Sequence, residues 1–145
     1  MNCRPCQSHL VSAAVATLLA TGCFSGSQNK MVFGTVTCDG QVVATGRVRF
    51  VPVEGTKGPA SQGTIVDGHY RIDGRGGIPV GRHRVEIVAE RKTGRKIPNV
   101  AMVGSMIDEL ERVSADEYAG EQSPLIKEIT RESDGRLDLE VPPRS

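Results

Sequence analysis

Three of the four Asp-Gly pairs, at 39–40, 67–68 and 134–135, stand between short runs that alternate apolar and polar side chains. Asp-Gly is a strong signal for a two-residue hairpin, because both central residues of the favoured turn need positive φ. A chain punctuated this way is committed to antiparallel strands. Val32–Cys38 is a β-rich run closed by the first pair. Gln41–Ala44 continues briefly, and Thr45-Gly46 turns the chain. In 47–51, Val48 and Phe50 share one face and Arg47 and Arg49 the other; Pro52 cannot donate to a ladder and ends the strand. Gln62–Val66 precedes the second pair, and 69–73 follows it with Tyr70 and Ile72 inward, His69 and Arg71 outward. The longest expected strand, 82–90, sets His83, Val85, Ile87 and Ala89 against Arg82, Arg84 and Glu86. Leu125–Arg131 and Leu137–Val141 flank the third pair as a third hairpin, before Pro142-Pro143. Seven or so strands spaced by about ten residues predict an all-β antiparallel sandwich.

One segment departs from period two. Val103, Met106, Ile107, Leu110 and Val113 recur at helical spacing. Ser105 with Asp108 reads as a variant cap, and Ser114 with Glu117 fits the S-x-x-E capping box. Gly120 and Pro124 then stop extension. The pattern predicts a short amphipathic helix near 105–113, a further turn near 115–119, and mobile loops at 54–61 and 91–100. Formal net charge is +1, with five aromatics and no Trp among 145 residues. That composition excludes a strongly basic, aromatic-lined nucleic-acid binder.

The N-terminus reads as an address. Residues 1–9 are polar with Arg4 and no acid, 10–20 are apolar, and Thr21-Gly22 are small. An apolar centre this short cannot span a bilayer, which needs ~20 residues; with these flanks it is a secretory signal over 1–22. Ala20-Thr21-Gly22-Cys23, preceded by Leu18-Leu19, resembles the lipobox of bacterial lipoproteins. The resemblance implies that the Cys23 thiol receives a diacylglyceryl group, that the bond before it is cut, and that acyl chains such as palmitate hold the chain to a membrane. It departs at Ala20, where that family usually carries Leu. Residues 23–30 then form a polar, lipidated tether ahead of the domain at 31–141. The residue after Cys23 is not Asp, which by the same resemblance favours an outer membrane where one exists. Cleavage removes the Cys3/Cys6 pair, leaves 17 cations against 17 acids, and leaves Cys38 as a small apolar side chain without an intramolecular partner.

The blocks taken together resemble the carboxypeptidase regulatory-like family. Phe33-Gly34-Thr35-Val36 through Asp39-Gly40-Gln41-Val42 matches its opening strand and turn, and Gly46–Pro52 its second strand. Asp67-Gly68-His69-Tyr70-Arg71-Ile72 matches its D-G-x-Y hairpin. Ile78-Pro79-Val80-Gly81 through Ile87 matches its l-p-x-G strand, with His83 where that family often has Tyr. Tyr118 and Ser123-Pro124-Leu125 resemble the segment before the penultimate strand. The resemblance covers about 32–90 and 115–141. It implies a transthyretin-like sandwich of about seven strands, with one short helix before the last two. The related domain of metallocarboxypeptidases is an accessory to catalysis, and nothing in this sequence resembles their catalytic domain.

The sequence therefore points to a non-catalytic, lipid-anchored protein on the extracytoplasmic side of the cell envelope, with a structural or binding role. No cofactor is expected. Two histidines follow the signal, His69 outward and His83 inward, short of the three or four ligands a metal site needs. The transthyretin fold hosts hydroxyisourate hydrolase, but that family ends Tyr-Arg-Gly-Ser and this chain ends Val141-Pro142-Pro143-Arg144-Ser145, so the hydrolase alternative is disfavoured. Without lipid on Cys23 the alternative is a secreted, unanchored binding module. Arg47, Arg49, Arg71, Arg82 and Arg84 all point outward. If their strands share a sheet they form a basic surface, for acidic envelope polymer or lipid headgroups and not for nucleic acid; another envelope protein is the further partner expected.

Overall fold

The structure is a computed structural model that describes residues 28–145. The expected signal, Cys23 and most of the tether lie outside the described residues. Eleven strands make up nearly all of the regular structure: β1 (Asn29–Lys30), β2 (Val32–Cys38), β3 (Gln41–Val42), β4 (Thr45–Pro52), β5 (Ser61–Val66), β6 (His69–Ile72), β7 (Ile78–Pro79), β8 (Gly81–Pro98), β9 (Met106–Arg112), β10 (Ile126–Ile129) and β11 (Leu139–Val141). Two 3-10 turns, Gly74–Gly76 and Asp116–Ala119, complete it. The fold is the expected all-β sandwich, with eleven strands where the sequence predicts about seven, made by a largely antiparallel sheet that curls on itself in the order β10-β8-β4-β5-β6-β2-β11. β3 adds to β2, β9 adds to β8, and β1 pairs with β7.

Period-two burial builds it. Along β2 the pattern alternates strictly, with Val32, Val36 and Cys38 inside. Val48 and Phe50 from β4, Tyr70 and Ile72 from β6, and Val85, Ile87 and Ala89 from β8 meet them in one core. Phe50 sits at its centre, its ring centroid 6.3 Å from those of both Tyr70 and His83. The first two Asp-Gly pairs make the turns they predict. Asp39 and Gly40 have φ of 53° and 71°, and Asp67 and Gly68 have 47° and 77°. They close Cys38 onto Gln41 and Val66 onto His69.

Four expectations are corrected. Thr45-Gly46 is not a turn but the start of β4, paired on both sides with β5 and β8. Ser133-Asp134-Gly135 is not a hairpin: β10 pairs with β8, whereas β11 runs parallel to β2. The turn instead carries the chain from one edge of the sandwich to the other. Gly135, at φ 84°, passes so close to Met31 that a Cβ would stand 2.2 Å from its carbonyl oxygen. The amphipathic helix near 105–113 does not form; the helical content before β10 is the 3-10 turn at 116–119. The segment 91–100 is not a mobile loop either. β8 continues to Pro98 and β9 folds back on it, with Arg91 opposite Glu111, Lys96 opposite Asp108 and Ile97 opposite Ile107. β4 leaves β8 at Glu90, so residues 91–112 project as a free two-stranded arm. A helix here would need a surface for its apolar stripe; the sandwich offers none, and the extended β8 offers a ladder.

Candidate functional site

Strand alternation places the five arginines as the sequence predicts. On β4, Arg47 and Arg49 point out while Val48 and Phe50 are buried; on β6, Arg71 points out between Tyr70 and Ile72. The pairing of Arg49 with Glu86 and of Val51 with Arg84 sets the β4 and β8 arginines on one outer face. The sheet order brings β6 and its Arg71 two strands further along.

That face is interlaced with acids. Glu86 lies between two arginines with its side chain 7% exposed. Its Oε2 accepts from Arg49 Nη1 at 3.2 Å, and its Oε1 accepts from Arg84 Nη2 at 2.9 Å. Arg71 donates to Asp73 at 2.8 Å, and Arg82 pairs with Glu54. Arg47 alone of the five makes no ion pair among the described residues. A carboxylate in hydrogen-bond contact cancels most of its arginine's field beyond a Debye length of about 8 Å. The face presents short-range guanidinium donors more than a broad positive potential. Sequence reading missed the role of Glu86, although its place between Arg84 and the β4 arginines in alternation is the signal that finds it.

The histidines do not meet. His69 is exposed on β6; His83 is fully buried on β8, with β4 and β5 between their strands. The His83 Nδ1 lies 3.1 Å from the Gly81 carbonyl, consistent with an N–H donor there, and its Nε2 has no hydrogen-bond partner among the described residues. Burial holds its pKa below the usual histidine value, against the opposing pull of the Gly81 carbonyl.

The edge of β8 between β10 and β9 is finished by side chains rather than by a strand. Ser123 Oγ donates to the Val85 carbonyl at 2.5 Å. Ser114 Oγ accepts from the Ala89 N–H at 3.1 Å and donates to the Ile87 carbonyl at 3.4 Å. Both serines are buried, because the backbone groups they satisfy are buried and need partners.

At the base of the arm an open cleft of about 300 Å³ is lined by Cys38, Val42, Val43, Glu90, Arg91 and Val113, among others. Cys38 is a free, buried thiol whose Sγ approaches the Val113 carbonyl at 3.6 Å. Burial, then the negative charge of Asp39, push its pKa up, so at neutral pH it is a protonated thiol and a poor nucleophile. It fills space, as the sequence suggests.

The arm is the feature that sequence reading did not find. Its stem is stitched by ion pairs: Arg91 to Glu111, Lys92 and Lys96 to Asp108 at 2.8 and 2.6 Å, and Arg95 to Glu109 at 2.7 Å. Thr93 Oγ1 also donates to Glu109 at 2.7 Å. These bonds draw the Asp108 carboxyl down to about 2, chiefly through Lys92 and then Lys96, and lower Glu109 through Arg95 and Thr93. Beyond the stem, Ile97, Val100, Met102, Val103, Met106 and Ile107 stand in solvent. Set against family models, curated proteins and solved structures, the chain matches none.

Proposed function

We propose that this chain is a lipid-anchored β-sandwich module of the bacterial cell envelope, of the carboxypeptidase regulatory-like, transthyretin-like kind. Its role is binding or structural, not catalytic. The observation that carries the reading is the coincidence at position 23. An apolar run of signal length ends in Thr21-Gly22-Cys23, and the sandwich begins only six residues later, at Asn29. A thioether-linked diacylglyceryl group with a further acyl chain gives stable membrane attachment, where one chain alone is marginal. Six residues reach at most about 20 Å, so the anchor would hold the β1/β7 end of the sandwich close to the bilayer.

In that position the arginine face would meet acidic envelope polymer or the acidic surface of another envelope protein. Arg47, without an ion pair among the described residues, would take the first contact, with the paired arginines exchanging partners behind it. Mass spectrometry of the native N-terminus tests the anchor. The mature chain is expected to begin at Cys23 and to carry glycerol-linked acyl groups, and Cys23→Ala is expected to leave the precursor uncut. A mature chain beginning at any other residue, or a free thiol on Cys23, overturns it.

A further inference from the structure

We propose that the tip of the β8–β9 arm is a bilayer-insertion element, which enters the interfacial region of a lipid membrane. Seven of the eleven large apolar side chains exposed among the described residues lie on this arm, so the exposure is local rather than scattered. From Ile97 to Ile107 the chain carries no charged residue.

Both faces of the ribbon are apolar there. Cross-strand partners share a face, so Ile97 and Ile107 lie on one side and Pro98 and Met106 on the other. Val100, Met102 and Val103 cover the apex, two of them as exposed as a residue can be. A groove in a protein partner covers one face of a ribbon. Apolar groups on both faces and the apex fit a medium that surrounds the tip, and lipid is such a medium.

Part of the backbone of the tip is already paired within the arm. Polar backbone groups entering lipid must find partners within the protein. The Asn99 N–H donates to the Ser105 carbonyl at 2.9 Å, closing the loop at its neck. The Ala101 N–H donates to Asn99 Oδ1 at 2.9 Å, and the Met102 N–H to the Asn99 carbonyl at 3.3 Å. Ser105 turns both its N–H and its hydroxyl onto the Met102 carbonyl, at 3.2 and 2.9 Å.

Behind the tip the ribbon becomes charged. Residues 91–112 hold five cations (Arg91, Lys92, Arg95, Lys96, Arg112) against three carboxylates, a small positive excess in which every cation is ion-paired. At this depth their long side chains would exchange those carboxylates for headgroup phosphates. None of the buried core residues lies between 91 and 112, so the arm adds no side chain to the core. The proposal stands independently of the lipid on Cys23.

The chain contains no Trp, so one placed at the tip is an unambiguous reporter. The full chain carrying Val103→Trp is mixed with vesicles of phosphatidylethanolamine and phosphatidylglycerol, beside the same chain carrying Val66→Trp on the body. Insertion predicts a blue-shifted emission for the tip reporter alone, quenched by lipids brominated along the acyl chain. Adding Val100→Asp is expected to weaken that signal by about tenfold or more, since a carboxylate resists entry into lipid. Val100 is fully exposed, so its replacement leaves the fold intact, and circular dichroism checks this. Residues 10–20 can bind vesicles without moving the tip reporter, so failure here and failure of the anchor are separate results. A tip emission unchanged by vesicles overturns the proposal. So does a blue shift that appears without lipid and grows with protein concentration, which would make a second copy the occupant.

Discussion

His83 fills a core position with a polar ring. Its Nδ1 side is answered by Gly81 and its Nε2 is buried without a hydrogen-bond partner among the described residues, with the Phe50 ring edge-on at 6.3 Å. The ring is therefore kept neutral, and its folded-state pKa lies below the unfolded value. Below pH ~6.5 the unfolded chain takes up a proton that the folded chain refuses, so stability falls with pH in that window and is flat above it. The slope is at most about 1.4 kcal/mol per pH unit. Urea unfolding at pH 7.5 and 5.0 should show the loss in the native chain and a smaller one in His83→Phe. Glu86 is the opposite case, a nearly buried charge with two donors. Glu86→Gln keeps the shape and weakens both ion pairs, and we expect about 1–3 kcal/mol of destabilisation in the same assay. Tyr70 donates its hydroxyl to the Leu137 carbonyl at 2.7 Å, tying β6 to the segment that leads into β11. Tyr70→Phe removes one hydrogen bond at constant volume and should cost about 1 kcal/mol.

At the scale of the element, the arm shows a ribbon held by charge rather than burial. No residue of β9 is buried, so its pairing leans on the carboxylates of Asp108, Glu109 and Glu111. Asp108 and Glu109 titrate below their ordinary range. A depressed carboxylate adds stability that is complete above its unfolded pKa and disappears as pH falls through the folded one. The stem should accordingly hold at pH 5 and open as pH falls from about 4 towards about 2. Amide exchange read by NMR should then show loss of protection at 91–98 and 106–112 before β2 or β4 change. Asp108→Asn should raise the pH at which this begins. The same physics explains what the sequence discloses. β2, β4, β6 and the first half of β8 are legible because one face is buried, and burial writes period two into the chain. In the arm nothing is buried, so period two is absent, and Val103, Met106, Ile107 and Leu110 fall at helical spacing without a helix. The legible sign is complementary: Arg91-Lys92 and Arg95-Lys96 face Asp108-Glu109 and Glu111 across the loop at 99–105. The third Asp-Gly pair misleads for a different reason. It specifies a local reversal but not a partner, and Gly135 serves a crossing past Met31. The arginine face is legible as alternation, whereas its neutralisation by Glu54 and Asp73 depends on contacts that alternation does not reveal.

For the molecule as a whole, β8 is the axis. β1 is paired to β7, which ends two residues before β8 begins, and the arm leaves from the other end. Along eighteen residues of strand, at about 3.3 Å each, the N-terminal attachment and the arm tip stand on the order of 55 Å apart. A chain anchored at its start and inserting at its tip would therefore lie along one bilayer or reach between two surfaces. The energetics divide the same way. Every side chain of the buried core comes from 32–89 or 129–141, and the arm supplies none. Arg91 and Glu111 already face each other across the ribbon, so replacing 92–110 by Asn-Gly leaves a cross-strand pair that a two-residue turn can close. Denaturant unfolding of this shortened chain should give a midpoint close to that of the full one, with a stability change below about 1 kcal/mol, as for surface changes away from the core. A large loss would mean that the arm bears on the sandwich through Val113 and the cleft at its base. An unchanged midpoint would separate the part that folds from the part that makes contact.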